Sequence, residues 1–190
     1  LGGAGRLRPQ AVALAPEAPR PAIDSATLQL RKGDAAAAFD TLAALSETAP
    51  LALPLYAAAM QQAAVASQRS GQALALLQRR YVASPSIDVL EAIIALGGTP
   101  ALPDDAPSDA AISAQPRDGY IAHLAHHPSL VAASRWLAGE RFEHEQFHPQ
   151  VQRSLDQATR PLMRYRCAAC GFEAHQYFWH CPGSQAWDSY

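Results

Sequence analysis

Between residues 20 and 96, apolar positions recur every three or four residues in short runs, each broken by Gly or Pro. That period is the signature of amphipathic helices. The breaks are themselves regular. Pro16 and Pro50 lie 34 residues apart and Pro85 follows after 35 more, which is the period of a tetratricopeptide unit of two helices. Gly33-Asp34 falls 17 residues after Pro16, where the turn between paired helices belongs. Small Ala26 and Ala38 on either side of that turn allow close approach, and Leu42 and Leu45 supply the apolar stripe of the second helix. The next unit is looser. Leu53 to Gln68 predicts a first helix, Ser70-Gly71 the turn, and Gln72 to Val82 a second helix carrying Leu74, Leu76 and Leu77. A further helix runs from Ile87 to Leu96 and ends at Gly97-Gly98. Residues 1–96 are therefore expected to be tetratricopeptide-like helix pairs, against the plainer reading of an arbitrary Ala-rich bundle.

Residues 97–119 carry Pro100, Pro103, Pro107 and Pro116 with Asp104, Asp105, Asp109 and Asp118, the composition of a linker or long loop. Helical pattern returns at Tyr120 to Ala125. It returns again after Pro128, where Ser129 can cap a helix bearing Leu130, Val131, Trp136 and Leu137. A last helix is expected from Gln150 to about Met163. The span 120–163 thus reads as the last helix pairs. The expected fold class is mainly α, a helical-repeat solenoid with a small metal knot at residues 164–190.

All 3 cysteines of the chain lie in that tail. Three thiols clustered at one end form no paired disulfide framework and point to a local metal site in a reducing compartment. Cys167-Ala-Ala-Cys170-Gly171 is a knuckle in which two thiolates grip one metal and Gly relieves the turn. Cys181-Pro182-Gly183-Ser184 has the spacing of a second knuckle with Ser in the last place. The aromatic segment between them (Phe172, Tyr177, Phe178, Trp179) predicts a hairpin that brings the knuckles together. The candidate ligands are Cys167, Cys170 and Cys181, with His180 or His175 as a nitrogen donor to complete the set. A knuckle that has lost its metal through Ser184 stands as the alternative. A redox Cys-x-x-Cys would need a βαβ context that is not present.

His144-Glu145-Gln146-Phe147-His148 matches the H-E-x-x-H pattern of zinc peptidases, which needs both histidines on one face of a continuous helix. Pro149 opposes helical geometry at His148, so catalytic zinc is not expected there. His123, His126 and His127 read as a solvated helix terminus. Trp136, Trp179 and Trp187 read as packing residues, the last two over the knuckles. No nucleophile, base and oxyanion hole assemble. With 15 Lys plus Arg against 17 Asp plus Glu, the chain lacks the basic footprint of a nucleic-acid binder. No run reaches the roughly 18 to 20 apolar residues of a membrane-spanning helix. The chain opens at Leu1 without an initiator Met, which leads us to expect an N-terminal portion beyond it.

Helix-pair repeats that run into Arg164-Tyr-Arg-Cys-x-x-Cys-Gly-Phe172 and then Trp179-His-Cys-Pro-x-Ser-x-x-Trp187 resemble the LapB family, lipopolysaccharide assembly protein B of Gram-negative bacteria. Arg20, Gly33-Asp34, Pro50, Pro85 and Pro128-Ser129-Leu130 extend the match. The resemblance implies a non-enzymatic scaffold with a membrane anchor outside this chain, tetratricopeptide repeats, and a rubredoxin-like domain holding one zinc or iron ion. It further implies an adaptor that presents the lipid A pathway deacetylase LpxC to the membrane protease FtsH, opposed by an inner-membrane regulator of the LapC (YejM) type. The expected place is the cytoplasmic face of the inner membrane, this fragment itself being soluble. Family members carry four cysteines, and Ser184 occupies the fourth position here. A rubredoxin-like iron electron-transfer protein is the alternative function.

Overall fold

The computed structural model describes residues 18–99, 116–139, 148–163 and 165–190. Among these residues the fold is mainly α with one small two-stranded sheet near the C-terminus, and the chain divides into two compact units, Leu1–Ala122 and His123–Tyr190.

In the first unit, α1 (Pro19–Arg31) and α2 (Ala35–Thr48) form one helix pair, and α3 (Leu53–Ala66) and α4 (Ser70–Ala83) form the next, entered through a tight turn at Pro50–Ala52. A shorter helix, α5 (Ile87–Ala95), begins a third. Each helix packs on its pair mate, α2 packs on α3, and α3 packs on α5. Proline starts α1, which suits a first turn whose N–H groups have no helical acceptor. Asp34 caps α2 by accepting from the Ala37 amide, and Ser86 caps α5 by accepting from the Val89 amide.

Helices α1, α3 and α5 end in the same way. Asp34, Arg69 and Gly98 each donate their amide to the carbonyl five residues back, on Gln29, Ala64 and Ile93. The residue before each has a left-handed backbone: Gly33 at φ 82°, Gln68 at φ 58° and Gly97 at φ 75°. This is the Schellman termination, which satisfies carbonyls at the helix end and turns the chain back. The second turn therefore lies at Ser67–Arg69, 35 residues after the first. Ser70 and Gly71, expected to form that turn, instead open α4. The repeat is more regular than its glycines indicate.

The core runs along the facing sides of α1 to α5. Ala26, Ala38, Ala57, Ala63 and Ala64 are fully buried where helices cross, and Phe39, Leu42, Tyr56, Met60, Leu77, Leu90 and Ile93 fill the space between. Small residues let helix backbones approach, and the larger side chains set the stripe between them. Polar side chains link α2 to α4 and the turn before it: Arg69 in the turn pairs with Asp40, and both Arg79 and Arg80 of α4 pair with Glu47. Such exposed pairs contribute little energy, but here they bridge the second helices of successive pairs.

Helix α6 runs Pro116–His126. Its start, four residues before the expected Tyr120, is favoured by Pro116 at the first position and Asp118 in the first turn. The rest of the proposed linker, residues 100–115, lies outside the described residues. His123 is buried rather than solvated as expected, and its ring packs against His127 with centroids 5.4 Å apart. Burial, aided by the charge of His127, holds its pKa below the ordinary value.

In the second unit, α7 (Leu130–Gly139) packs on α8 (His148–Thr159). Ser129 caps α7 by accepting from the Ala132 amide. The Gln152 amide donates to both Ser134 and Asp156, tying α8 to α7. Helix α8 begins two residues before the expected Gln150 and gives way to a 3-10 turn over Arg160–Met163. Among the described residues no helix is long and apolar enough to cross a membrane.

Candidate metal centre

The tail from Tyr165 folds as one short element used twice. Strand β1 (Tyr165–Arg166) pairs antiparallel with β2 (Glu173–Ala174), so that Arg166 faces Glu173 across the first knuckle. Fourteen residues later an isolated bridge joins His180 to Trp187 across the second. Within the first knuckle the Cys167 amide donates to Phe172 O at 2.9 Å and the Gly171 amide to Cys167 O at 2.8 Å; within the second, the Cys181 amide donates to Ala186 O and the Gln185 amide to Cys181 O, each at 2.9 Å. Gly171 and Gln185 both adopt left-handed backbone, at φ 76° and φ 59°. The expected hairpin between the knuckles is thus replaced by a small ladder around each knuckle. Two residues of strand suffice because the turn inside each ladder is closed by its own hydrogen bonds.

This duplication aligns Cys167 with Cys181 and Cys170 with Ser184. The three thiol sulfurs all lie within 4.8 Å of one another. Cys170 Sγ is 3.6 Å from Cys181 Sγ, and Cys167 Sγ is 3.6 Å from Ser184 Oγ. A tetrahedral zinc with sulfur ligands at about 2.3 Å sets those ligands about 3.8 Å apart, so these two separations are close to the length of opposite edges of one such site. The three cysteines are positioned to bind a metal ion. Cys167 and Cys181 are buried, while Cys170 and Ser184 face solvent.

Donors surround the sulfurs. Ser189 Oγ lies 3.1 Å from Cys167 Sγ, the Ser184 amide donates to Cys181 Sγ at 3.5 Å, and the Tyr190 hydroxyl donates to the same sulfur at 3.6 Å. The Ser189 hydrogen bond, joined by that of Ser184, outweighs burial and lowers the Cys167 thiol pKa. At Cys181 burial works to raise the pKa, but donors from Ser184, Tyr190 and the Gly183 amide overcome it and bring it down to about 5. These contacts favour thiolate, the form that ligates metal. Ser189 and Tyr190 were not foreseen: they lie outside both knuckles, and no spacing rule marks them. The Ala168 amide holds Ser189 in place by donating to its carbonyl at 2.6 Å.

His180 and His175 are both exposed, and neither joins the thiol cluster among the described residues. Cys181 points inward, so its neighbour His180 points out and stacks on Trp187 at 4.6 Å. Trp187 itself is 58% exposed and does not bury the knuckles. Tyr177 is the hub of the small aromatic core, in edge contact with Tyr165 at 5.5 Å and Trp179 at 4.7 Å and near Tyr190 at 5.9 Å. His144 and Glu145 lie outside the described residues. His148 opens α8, with Nε2 3.0 Å from the Leu137 carbonyl oxygen.

Residues 165–189 match the family model described as "Rubredoxin metal binding domain", of the LapB type. The tail is thus similar to the metal-binding domain of the LapB family. Lipopolysaccharide assembly protein B of Escherichia coli strain K12 is 43% identical to this chain over 35 residues, and the proteins of that name from strains O6:H1 and O157:H7 match equally. That similarity covers 18% of this chain and 9% of each relative. Within the matched segment, Cys167, Cys170 and Cys181 are positioned to bind a metal, and the Ser184 hydroxyl lies beside Cys167 at the fourth corner.

Proposed function

We propose that this chain is part of a non-enzymatic adaptor that regulates lipopolysaccharide synthesis by presenting the lipid A pathway deacetylase LpxC to the membrane protease FtsH. One observation carries the reading: a knot similar to that of LapB follows, in the sequence, two successive helix pairs whose turns at Gly33 and Gln68 lie 35 residues apart. That period and its paired helices are those of tetratricopeptide units, whose stacked surfaces bind other proteins. The relatives' name, lipopolysaccharide assembly protein B, supplies the pathway. The work is done on the cytoplasmic face of the inner membrane, through an anchor on the parent protein, under an opposing regulator of the LapC (YejM) type.

The knot's own role is structural. Cys167, Cys170 and Cys181 would hold the ion, which supplies cross-linking to a domain of fewer than about 30 residues that has little core of its own. The electron-carrier alternative gains no support, because one of the four sulfur positions of a rubredoxin centre is a hydroxyl here. Capture of the tagged full-length parent from cross-linked cells tests the adaptor role. Recovery of both deacetylase and protease is expected, and recovery of neither overturns it.

A further inference from the structure

We propose that the knot is a centre of three thiolates and one oxygen, whose solvent-facing corner at Ser184 exchanges for an external thiolate. The inference rests on the reading of the tail as a metal-binding domain and goes beyond it to what the substituted corner does. Three observations lead there. The fourteen-residue duplication puts Ser184 where Cys170 stands, with the following residue, Gln185, in the same left-handed backbone as Gly171. The Ser184 hydroxyl lies 3.6 Å from Cys167 Sγ, equal to the opposite sulfur–sulfur edge between Cys170 and Cys181. Both Ser184 and Cys170 are exposed, whereas Cys167 and Cys181 are buried, so the edge joining the two exposed residues is the open side of the site.

A neutral hydroxyl is a weaker donor to a soft ion than a thiolate. It is also shorter: oxygen sits closer to its Cβ than sulfur does, so Ser184 reaches less far into the site than the cysteine it replaces. Three firm protein ligands can keep the cross-link in place while the fourth place, held by a replaceable oxygen, stays open to exchange. In the exchange, a small thiol gives its proton to solvent and forms a sulfur–metal bond, and the Ser184 hydroxyl leaves as a neutral alcohol. No electron moves, and the three cysteines stay bound.

Cobalt(II) loading of the whole chain reads this directly, because thiolate-to-cobalt charge transfer grows with the number of bound sulfurs. The wild-type chain is expected to give about three quarters of the charge-transfer intensity of the Ser184→Cys variant, as three thiolates against four. Titrating 2-mercaptoethanol into the cobalt-loaded wild type should raise it saturably to the level of that variant, which itself should not respond. Ser184→Ala should shift the ligand-field bands before thiol is added and keep the thiol response. Absence of a thiol response in the wild type overturns the proposal, as do ligand-field bands unchanged by Ser184→Ala. Cobalt bound by Ser184→Cys but not by the wild type also overturns it, leaving the metal-binding ancestry of the fold intact. Binding by neither chain defeats the metal-domain reading itself.

Discussion

Ser184 stands in the second knuckle where Cys170 stands in the first, fourteen residues away and in the same hydrogen-bonded turn. The difference between the two is one atom, sulfur against oxygen. On the proposed metal-domain reading, that atom is expected to set how tightly the knot holds an ion and how easily the ion is removed.

Chelator is therefore expected to unfold the knot while leaving the helix pairs of the first unit folded. The 3 tryptophans, at 136, 179 and 187, all fall in the second unit, so tryptophan fluorescence follows that unit while circular dichroism at 222 nm follows the helices. Added chelator should lower the fluorescence-detected melting temperature far more than the dichroism-detected one. Ser184→Cys should raise zinc affinity by about tenfold or more and blunt the chelator effect, since ligand bonds in such small domains are folding energy. Equal response of both signals to chelator would show that the knot and the helix pairs melt as one.

Gly33 and Gln68 end equivalent helices with the same left-handed backbone. A side chain there costs about 1 kcal/mol that glycine avoids. Gln68→Gly should stabilise the helical unit by about 0.5–1 kcal/mol, and Gly33→Ala should destabilise it by about 1 kcal/mol. A Cβ at position 33 would meet nothing within 4 Å, so the loss would come from the backbone alone. Urea titration of both variants measures this, and a destabilising Gln68→Gly would contradict the Schellman assignment.

The same pair shows how far the sequence could be read. Pro16, Pro50 and Pro85 give the repeat period, and Gly33 gives the first turn, because glycine announces a left-handed residue. Gln68 gives no such signal, and the nearby Ser70-Gly71 imitates one, so the turn was expected three residues late. Cysteine spacing reveals the first knuckle, and it marks Ser184 as the odd member of the second. It does not reveal the ladders around each knuckle, since two-residue strands have no periodicity to detect. Ser189 and Tyr190 reach the sulfurs only because the chain end folds back, a tertiary event that no local pattern records. His123 looked solvated beside His126 and His127, yet the packing around α6 buries it.

Tyr56 is fully buried in the helical core, and among the described residues its hydroxyl has no hydrogen-bond partner. Burial, opposed by nearby Arg80, drives its pKa well above the usual phenol range. An unpaired buried hydroxyl costs stability, so Tyr56→Phe should be neutral or stabilise by up to about 1 kcal/mol. Thermal melting at 222 nm checks this, and a loss of stability would show that the hydroxyl has a partner.

Burial beside His127 lowers the pKa of His123 below 6.5 in the folded chain. The unfolded chain then binds the proton first as pH falls. The contribution of neutral His123 is fully present above pH 6.5 and is lost as pH drops toward its folded value. Melting temperatures of wild type and His123→Gln, compared from pH 7.5 to 5.5, should converge toward low pH. A difference that does not change with pH would remove His123 as the titrating group.

The adaptor account is tested most directly by the half-life of the LpxC-type deacetylase in cells, followed after synthesis is stopped. Cells carrying the parent protein should degrade the deacetylase rapidly. Cells in which Cys167 and Cys181 are both replaced by Ser should degrade it several-fold more slowly, approaching cells without the parent. A half-life that stays the same when the parent protein is deleted would contradict the account.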